Sequence, residues 1–232
     1  MPRVLMAAYT NYRRDPRVRR EAETLADRGY DVTFIARRQS GEPDTESVSG
    51  VRVIKLPGLA NPKTSAALYM ADYAIFFLLL TAYISLRPLR FDLIHINNMP
   101  DFLVFSTVVP RLMGKPVIHD VHDLMPELYM EKFGTDEKHW MIRFLMLQER
   151  WAGRFASAVL TVEERLRDIL SDRGIPREKI EVLMNLPDDR IFSKPDSRSE
   201  KSPGSTFVLA YHGTLARRLG LDVALHAIAL VR

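Results

Sequence analysis

Apolar and β-branched runs recur along the chain at about 3–8, 31–36, 51–56, 92–96, 116–119 and 158–162, and most are separated by segments with helical apolar spacing. Stretches such as Asp92-Leu-Ile-His-Ile96 and Lys115-Pro-Val-Ile-His119 are apolar at consecutive positions, as strands covered on both faces are. Strands alternating with helices predict a parallel sheet with helices on both sides. The expected fold is doubly wound, Rossmann-like α/β. The first helix is signed at both ends. Asp15 can cap it, Pro16 suits its first turn, and Val18, Ala22, Leu25 and Ala26 form an apolar stripe that stops at Gly29. Farther on, Trp140, Phe144, Leu147, Trp151 and Phe155 follow one another at intervals of four, three, four and four, which predicts a core-facing stripe with a packing role.

Two segments break this rhythm. Residues 66–86 are apolar except for Asp72, Thr81 and Ser85, a run near the length that spans a bilayer. A crossover helix packed on the sheet, a helix lying on a membrane surface and a spanning helix all fit that composition. Continuity of one sheet across the segment favours the first, and Arg87 and Arg90 just beyond it suit the second. From Pro187 to Thr206 the chain turns polar, with three prolines and five serines, which reads as a linker. Beyond it, 207–211 reads as a strand and 219–232 as a helix, too little to bury a core of their own. The expected organisation is a first domain over 1–186, a linker over 187–206, and over 207–232 the opening of a second domain that is cut short.

Composition narrows the chemistry. The 232 residues are 47% hydrophobic and 27% charged, an ordinary globular balance. There is no cysteine, so disulfides, zinc–thiolate centres and thiol nucleophiles are excluded. The N-terminus runs straight into an apolar strand without a charged leader or cleavage site, which predicts a cytoplasmic protein. A net charge of +4 suits any of several anionic partners, but five of the eight residues from 13 to 20 are arginine, which concentrates the field at one place.

That place is the turn after the first strand, Tyr9-Thr-Asn-Tyr-Arg-Arg14, which leads into a helix N-terminus where free amides and the dipole favour a phosphate or carboxylate. Arg13, Arg14 and Arg17 are the candidate anion-binding side chains there; a solvated basic helix face is the alternative reading. Neither the glycine fingerprint of dinucleotide binders nor a phosphate-loop Gly-Lys-Ser/Thr is present, which weighs against hydride transfer and nucleotide hydrolysis. The densest polar cluster is His119-Asp-Val-His-Asp-Leu-Met-Pro-Glu127, at the carboxyl end of a strand, where open α/β sheets bind ligands. His119 and His122 would share a metal only if the backbone turned between them, so no metal site is expected; capping of the loop by its aspartates is the plainer alternative. Tyr211 to Asp222 repeats the pattern of strand, glycine turn with basic residues and helix start. Two such turns suit a phosphorylated ligand held in a cleft.

These residues resemble family 4 of the retaining glycosyltransferases, which have the two-domain GT-B architecture. Arg17 to Thr33 is similar to that family's first helix and second strand, Phe91-Asp-Leu-Ile-His-Ile96 to its "PDVIHAH" strand, and His122-Asp-Leu-Met-Pro-Glu127 to its "HE/HD...PE" segment. Ala158-Val-Leu-Thr-Val-Glu163 resembles "ADxVITVS", Val182 to Asp188 with Phe192 resembles "VIPNGVDxxxF", and Gly213 to Asp222 resembles "GxLxxxKGxD". The resemblance implies an acceptor-binding first domain, a donor-binding second domain, and transfer from a nucleotide-diphosphate sugar with retention and without a required metal or other cofactor.

It makes His122 the active-site histidine, with Asp123 and Glu127 beside it, puts Thr10 and Asn11 next to the donor phosphates, and gives Gly213, Arg217 and Arg218 donor-binding roles. Arg217 or Arg218 would stabilise the departing diphosphate. Leu219 departs from the lysine that often stands there, and the first turn lacks the family's glycine pair. The family's paired-glutamate motif would follow Arg232, so the chain by itself is expected to be inactive. Implied partners are a nucleotide sugar and a glycan or lipid-linked glycan acceptor, with no nucleic acid, and peripheral contact with the inner membrane face through 66–90. The rival readings are a noncatalytic membrane-surface or scaffold module and a sugar-nucleotide epimerase or glycan phosphorylase of the same architecture.

Overall fold

In the computed structural model, residues 1–187, 208–213, 215 and 219–230 are described. The chain divides into two compact units, Met1–Asp188 and Asp189–Arg232. The first unit is built on one sheet of strands β1 (Arg3–Ala7), β2 (Asp31–Arg37), β3 (Thr45–Val48), β4 (Val51–Leu56), β5 (Leu93–Asn97), β6 (Val117–Val121), β7 (Ala158–Thr161) and β8 (Ile180–Val182). Their order is β3-β4-β2-β1-β5-β6-β7-β8, and every neighbouring pair is parallel except β3 with β4. The chain winds outward from β1 toward β2 and β4, then returns past β1 to β5 and continues toward β8. The reversal falls between β1 and β5, the switch point at which sheets of this kind open a crevice beyond the strand ends.

Right-handed crossovers place helices made in the two winding directions on opposite faces. Helix α1 (Pro16–Asp27) covers one face, where Val18 and Ala22 join Met6, Phe34 and Val53 in a core. The other face carries α2 (Ala66–Ser85), the 3-10 segment Asp101–Thr107 with α3 (Val108–Leu112), then α4 (Met125–Phe133), α5 (Trp140–Phe155) and α6 (Glu164–Asp172). Phe76, Leu80, Leu103, Ala152 and Leu170 from this layer meet Ile35, Ile94 and Val159 of the sheet.

Helix α1 begins as its sequence requires: Asp15 Oδ1 accepts from Arg17 N at 3.2 Å, with Pro16 in the first turn. Helix α2 is long and apolar enough to cross a membrane, yet it joins β4 to β5 of one sheet, so it does not span one. Only its inner face is buried, through Asp72, Tyr73, Phe76, Leu80 and Ile84. Asp72 lies fully buried and accepts hydrogen bonds from Tyr9 OH, Arg37 Nε and the Leu59 amide, which hold its carboxyl below the usual range against the opposing effect of burial. Gly58 is required here, since a Cβ on it would stand 2.6 Å from Asp72 Oδ1.

Two expectations are corrected. Trp140, Phe144, Leu147 and Trp151 do not face the core; they are 40 to 68% exposed, and only Phe155 of the stripe packs inward. The buried face of α5 is Ile142, Leu145, Glu149, Ala152 and Gly153. Glu149 disguised this face as polar in the sequence, and its burial is made tolerable by Arg173, 24 residues away in the chain. In the second unit, residues 208–211 carry no strand; a strand needs a neighbour to complete its hydrogen bonds, and none is described there. Helix α7 (Leu221–Leu230) forms within the expected 219–232, and most of the expected linker lies outside the described residues.

Candidate functional site

The carboxyl ends of β1, β5 and β6 meet the N-terminal half of α1 at the switch point, and the polar residues of that corner interlock. Strand β6 ends in Asp120 and Val121, and Asp120 and His122, two positions apart, lie on one side of the strand end. His95 Nε2 donates to Asp120 Oδ2 at 3.1 Å, and His122 Nε2 approaches the same oxygen at 3.2 Å, off the line of an aligned hydrogen bond. Glu21 of α1 closes the group, its carboxylate oxygens 3.8 Å from His95 Nε2 and from His122 Nε2.

Charges are sorted sharply within this corner. Burial, and then the negative charge of Asp120, push Glu21 up to about 9. Burial pushes Asp120 in the same direction, but His122 and His95 outweigh it and hold Asp120 well below the usual carboxylate range. At neutral pH the pair is therefore one ionised and one protonated carboxyl. Glu21, Asp120 and His122 each offer a ligand atom within 4.8 Å of the others, a spacing that could receive a cation.

His122 is 7% exposed; its Nε2 has only the poorly aligned approach to Asp120 at 3.2 Å, and its Nδ1 has no hydrogen-bond partner in the protein. A buried polar group left so costs about 1–3 kcal/mol unless something satisfies it, which makes it a natural point of contact for a ligand hydroxyl. Its backbone is fixed from the neighbouring strand end. Asn98 Oδ1 accepts from His122 N at 3.1 Å, while Asn98 Nδ2 donates to Asp123 O at 2.7 Å and to Asp101 Oδ1 at 3.1 Å. Asn97, just before it, is buried with both amide atoms unpartnered. His119 turns elsewhere, with Nε2 3.5 Å from Asp101 Oδ1.

The remaining expected residues are differently engaged. Asp123 lies 3.5 Å from Arg17, which also pairs with Asp15 at 3.2 Å. Glu127, in the first turn of α4, is held by Arg173, which also bonds Glu149 at 3.1 Å. Glu127 is thus tied to a neighbouring ion-pair network rather than to the His122 corner. The Thr10 hydroxyl donates to Asp15 Oδ2 at 3.1 Å, and Asn11 caps the following 3-10 turn through Arg14 N while donating to Glu42 Oε1 at 3.0 Å. Arg13 pairs with Glu46 at 2.7 Å, whereas Arg14 has no acidic partner among the described residues. The α1 N-terminus therefore already holds an anion of its own, the Asp15 carboxylate. Gly213 lies in a bend before α7, and Arg217 and Arg218 lie outside the described residues.

Glu21, His95, Asn97, Asn98 and Asp120 were not singled out by the sequence. The asparagines stand at a strand's carboxyl end, the same signal that marked His122, and Asp120 lies inside the cluster already noticed. Glu21 gave no signal, because it sits in a helix rich in charge.

Residues 15–185 match the family model described as "Glycosyl transferase 4-like domain". No curated protein matches significantly. Among solved structures, the sucrose-phosphate synthase of Thermosynechococcus elongatus aligns at 16% identity and TM-score 0.61, over 83% of this chain and 50% of that one. Anabaena HepE in complex with UDP-glucose aligns at 13% and 0.52 over 83% and 46%, and the glycotransferase of kitacinnamycin at 13% and 0.53 over 98% and 63%. The chain spans about half the length of the first of these structures. Likeness at such identity speaks for a shared GT-B fold, while the family model covers most of the chain and the whole corner around His122. On that match, the chain belongs to the glycosyl transferase 4-like domain family.

Proposed function

We propose that this chain forms the acceptor side of a glycosyltransferase that moves a sugar from a nucleotide-diphosphate sugar to a glycan or lipid-linked glycan, with retention of anomeric configuration. The observation that carries the reading is His122: a buried imidazole at the sheet's switch point, its backbone held by Asn98, its Nε2 facing Asp120 and its Nδ1 without a partner. Such a group suits positioning a sugar hydroxyl beside the reacting carbon. In the mechanism we propose, the acceptor oxygen attacks the face from which the diphosphate departs, and no protein nucleophile is needed.

Charge developing on the diphosphate is met by Arg217 or Arg218 and by helix N-termini, so a metal is dispensable. UDP and UDP-glucose in the HepE structures support a nucleotide sugar as the donor class. The exposed outer face of α2 supports a cytoplasmic location peripheral to the inner membrane, through residues 66–90, suiting a lipid-linked acceptor.

The test is transfer from a panel of nucleotide sugars by a protein carrying this domain and its donor domain, with and without chelator. Activity that survives chelation and falls by about 10²–10³ in His122→Ala is expected. Absence of nucleotide-sugar binding overturns the reading, and dependence on an added divalent cation overturns its metal-free form.

A further inference from the structure

The aromatic stripe that fails to enter the core is the feature this reading leaves unused. Trp140, Phe144, Leu147 and Trp151, at helical spacing, stand outward on α5, opposite the buried Ile142, Leu145, Glu149 and Ala152. Arg143, Arg150 and Arg154 are exposed along one edge of the stripe, and the only acidic residue of the helix, Glu149, is turned inward to Arg173. Among the described residues neither Arg143 nor Arg150 has an acidic partner. An outward ridge of Trp, Phe and Leu bordered by Arg143 and Arg150 without acidic partners, and by Arg154, whose Nε donates to Gly174 O at 2.7 Å, is the composition of a helix lying in the headgroup layer of an anionic bilayer. A protein partner would bury the aromatics equally well, but the uniform sign of the charge favours a surface that is negative throughout.

The position of the stripe strengthens the point. Helices α2 and α5 both pack against the 3-10 segment Asp101–Thr107, on the same face of the sheet. The outer positions of α2, among them Ala67, Met70, Ala74 and Leu78, are exposed and carry no charge. The two apolar faces therefore belong to one helical layer.

We propose that the outer face of α5 is a membrane-contact surface for anionic phospholipid, in which the two tryptophans enter the interface and the arginines meet the headgroups. The proposal rests on the membrane location proposed above only in that α2 lies in the same layer; its residues and its readout are separate. The chain contains two tryptophans, Trp140 and Trp151, and both are on this stripe, so intrinsic fluorescence reports on it alone.

The test titrates the protein with vesicles of phosphatidylcholine alone and with phosphatidylglycerol added. It follows co-sedimentation, tryptophan emission and quenching by bromine-labelled acyl chains. With the anionic vesicles the emission should move to shorter wavelength and be quenched, and added salt should reverse both. Arg143→Gln and Arg150→Gln should each lower partition about fivefold, and Trp140→Ser with Phe144→Ser should lower it further, with unchanged thermal unfolding, since all four side chains are exposed. Co-sedimentation with unshifted emission, abolished by Leu78→Glu, would overturn the α5 surface and leave the α2 contact standing. No co-sedimentation at all would overturn both. An emission shift that depends on protein concentration without vesicles, accompanied by a dimer mass, would assign the stripe to self-association and overturn the lipid proposal.

Discussion

Glu21 and Asp120 show how one corner assigns opposite charge states to two similar side chains. Asp120 is buried and Glu21 largely so, but Asp120 has two imidazoles beside it and Glu21 has mainly Asp120. A carboxyl raised to about 9 binds a proton more tightly folded than unfolded. Its contribution is complete below the unfolded pKa and is lost as pH rises toward 9. Glu21→Gln, which imitates the protonated form, should therefore be more stable than the parent at pH 9 by about 1 kcal/mol, or roughly 2–4 °C in Tm, and nearly equal to it at about pH 5. Thermal melts of both proteins across that range check the sign. A larger stability of the parent at alkaline pH would mean that Glu21 ionises readily and has a cationic partner instead. Asn98 acts on the backbone of its neighbours rather than through charge, so its place just past the end of β5 was the one signal it gave in the sequence.

At the scale of elements, the two apolar helices of the outer layer owe their places to buried ions. Asp72 of α2 is linked through Tyr9 to the turn after β1 and through Arg37 to β2, and Glu149 of α5 is linked to Arg173, the residue that closes α6. Such pairs add little net stability, but removing one partner leaves the other buried alone. Asp72→Ala should cost about 3–5 kcal/mol, whereas Asp72→Leu combined with Arg37→Met should recover most of it. Urea unfolding of the single and double variants measures the coupling, and additive losses would show that the pair does not act as a unit. Asp15 works on a smaller scale at the start of α1. Its replacement by alanine should cost about 1 kcal/mol as a lost cap, and it also frees Thr10 and Arg17, opening the helix N-terminus to an outside anion.

For the whole first unit these ionisations combine into one pH profile. Glu149 is pushed up to about 7, by burial first and by Asp101 and Glu127 against the opposing Arg173, and Glu21 to about 9. Each is lost as a stabilising proton site while pH rises through those values. Asp120, Asp72, Glu42 and Glu46 are shifted down, and their contributions disappear only as pH falls through their lowered values in acid. Stability should therefore peak at about pH 5, decline steadily toward pH 9 and collapse below about pH 3. A Tm that rises from neutral to alkaline pH would contradict this balance.

The parallel α/β architecture, the signed start of α1 and the strand-end location of His122 were legible in the amino-acid sequence, because each follows from local periodicity, capping or the general rule for sheet openings, whereas the place of α2 was settled by the strand order. The sequence also carried enough ordered motif to indicate the family. Three further things were decided only by the tertiary structure. Which face of α5 is inside depended on Arg173 reaching Glu149 from another helix, since α5 has apolar residues on both faces and burial follows the better-satisfied one. The engagement of Arg13, Arg17 and Glu127 depended on partners in other elements, so their charge was visible while their availability was not. The corner of Glu21, His95, Asn98, Asp120 and His122 exists because the carboxyl ends of β5 and β6 meet the N-terminal half of α1 at the switch point. Residues up to 101 positions apart in the chain meet there, and their proximity depends on strand order rather than on any local pattern.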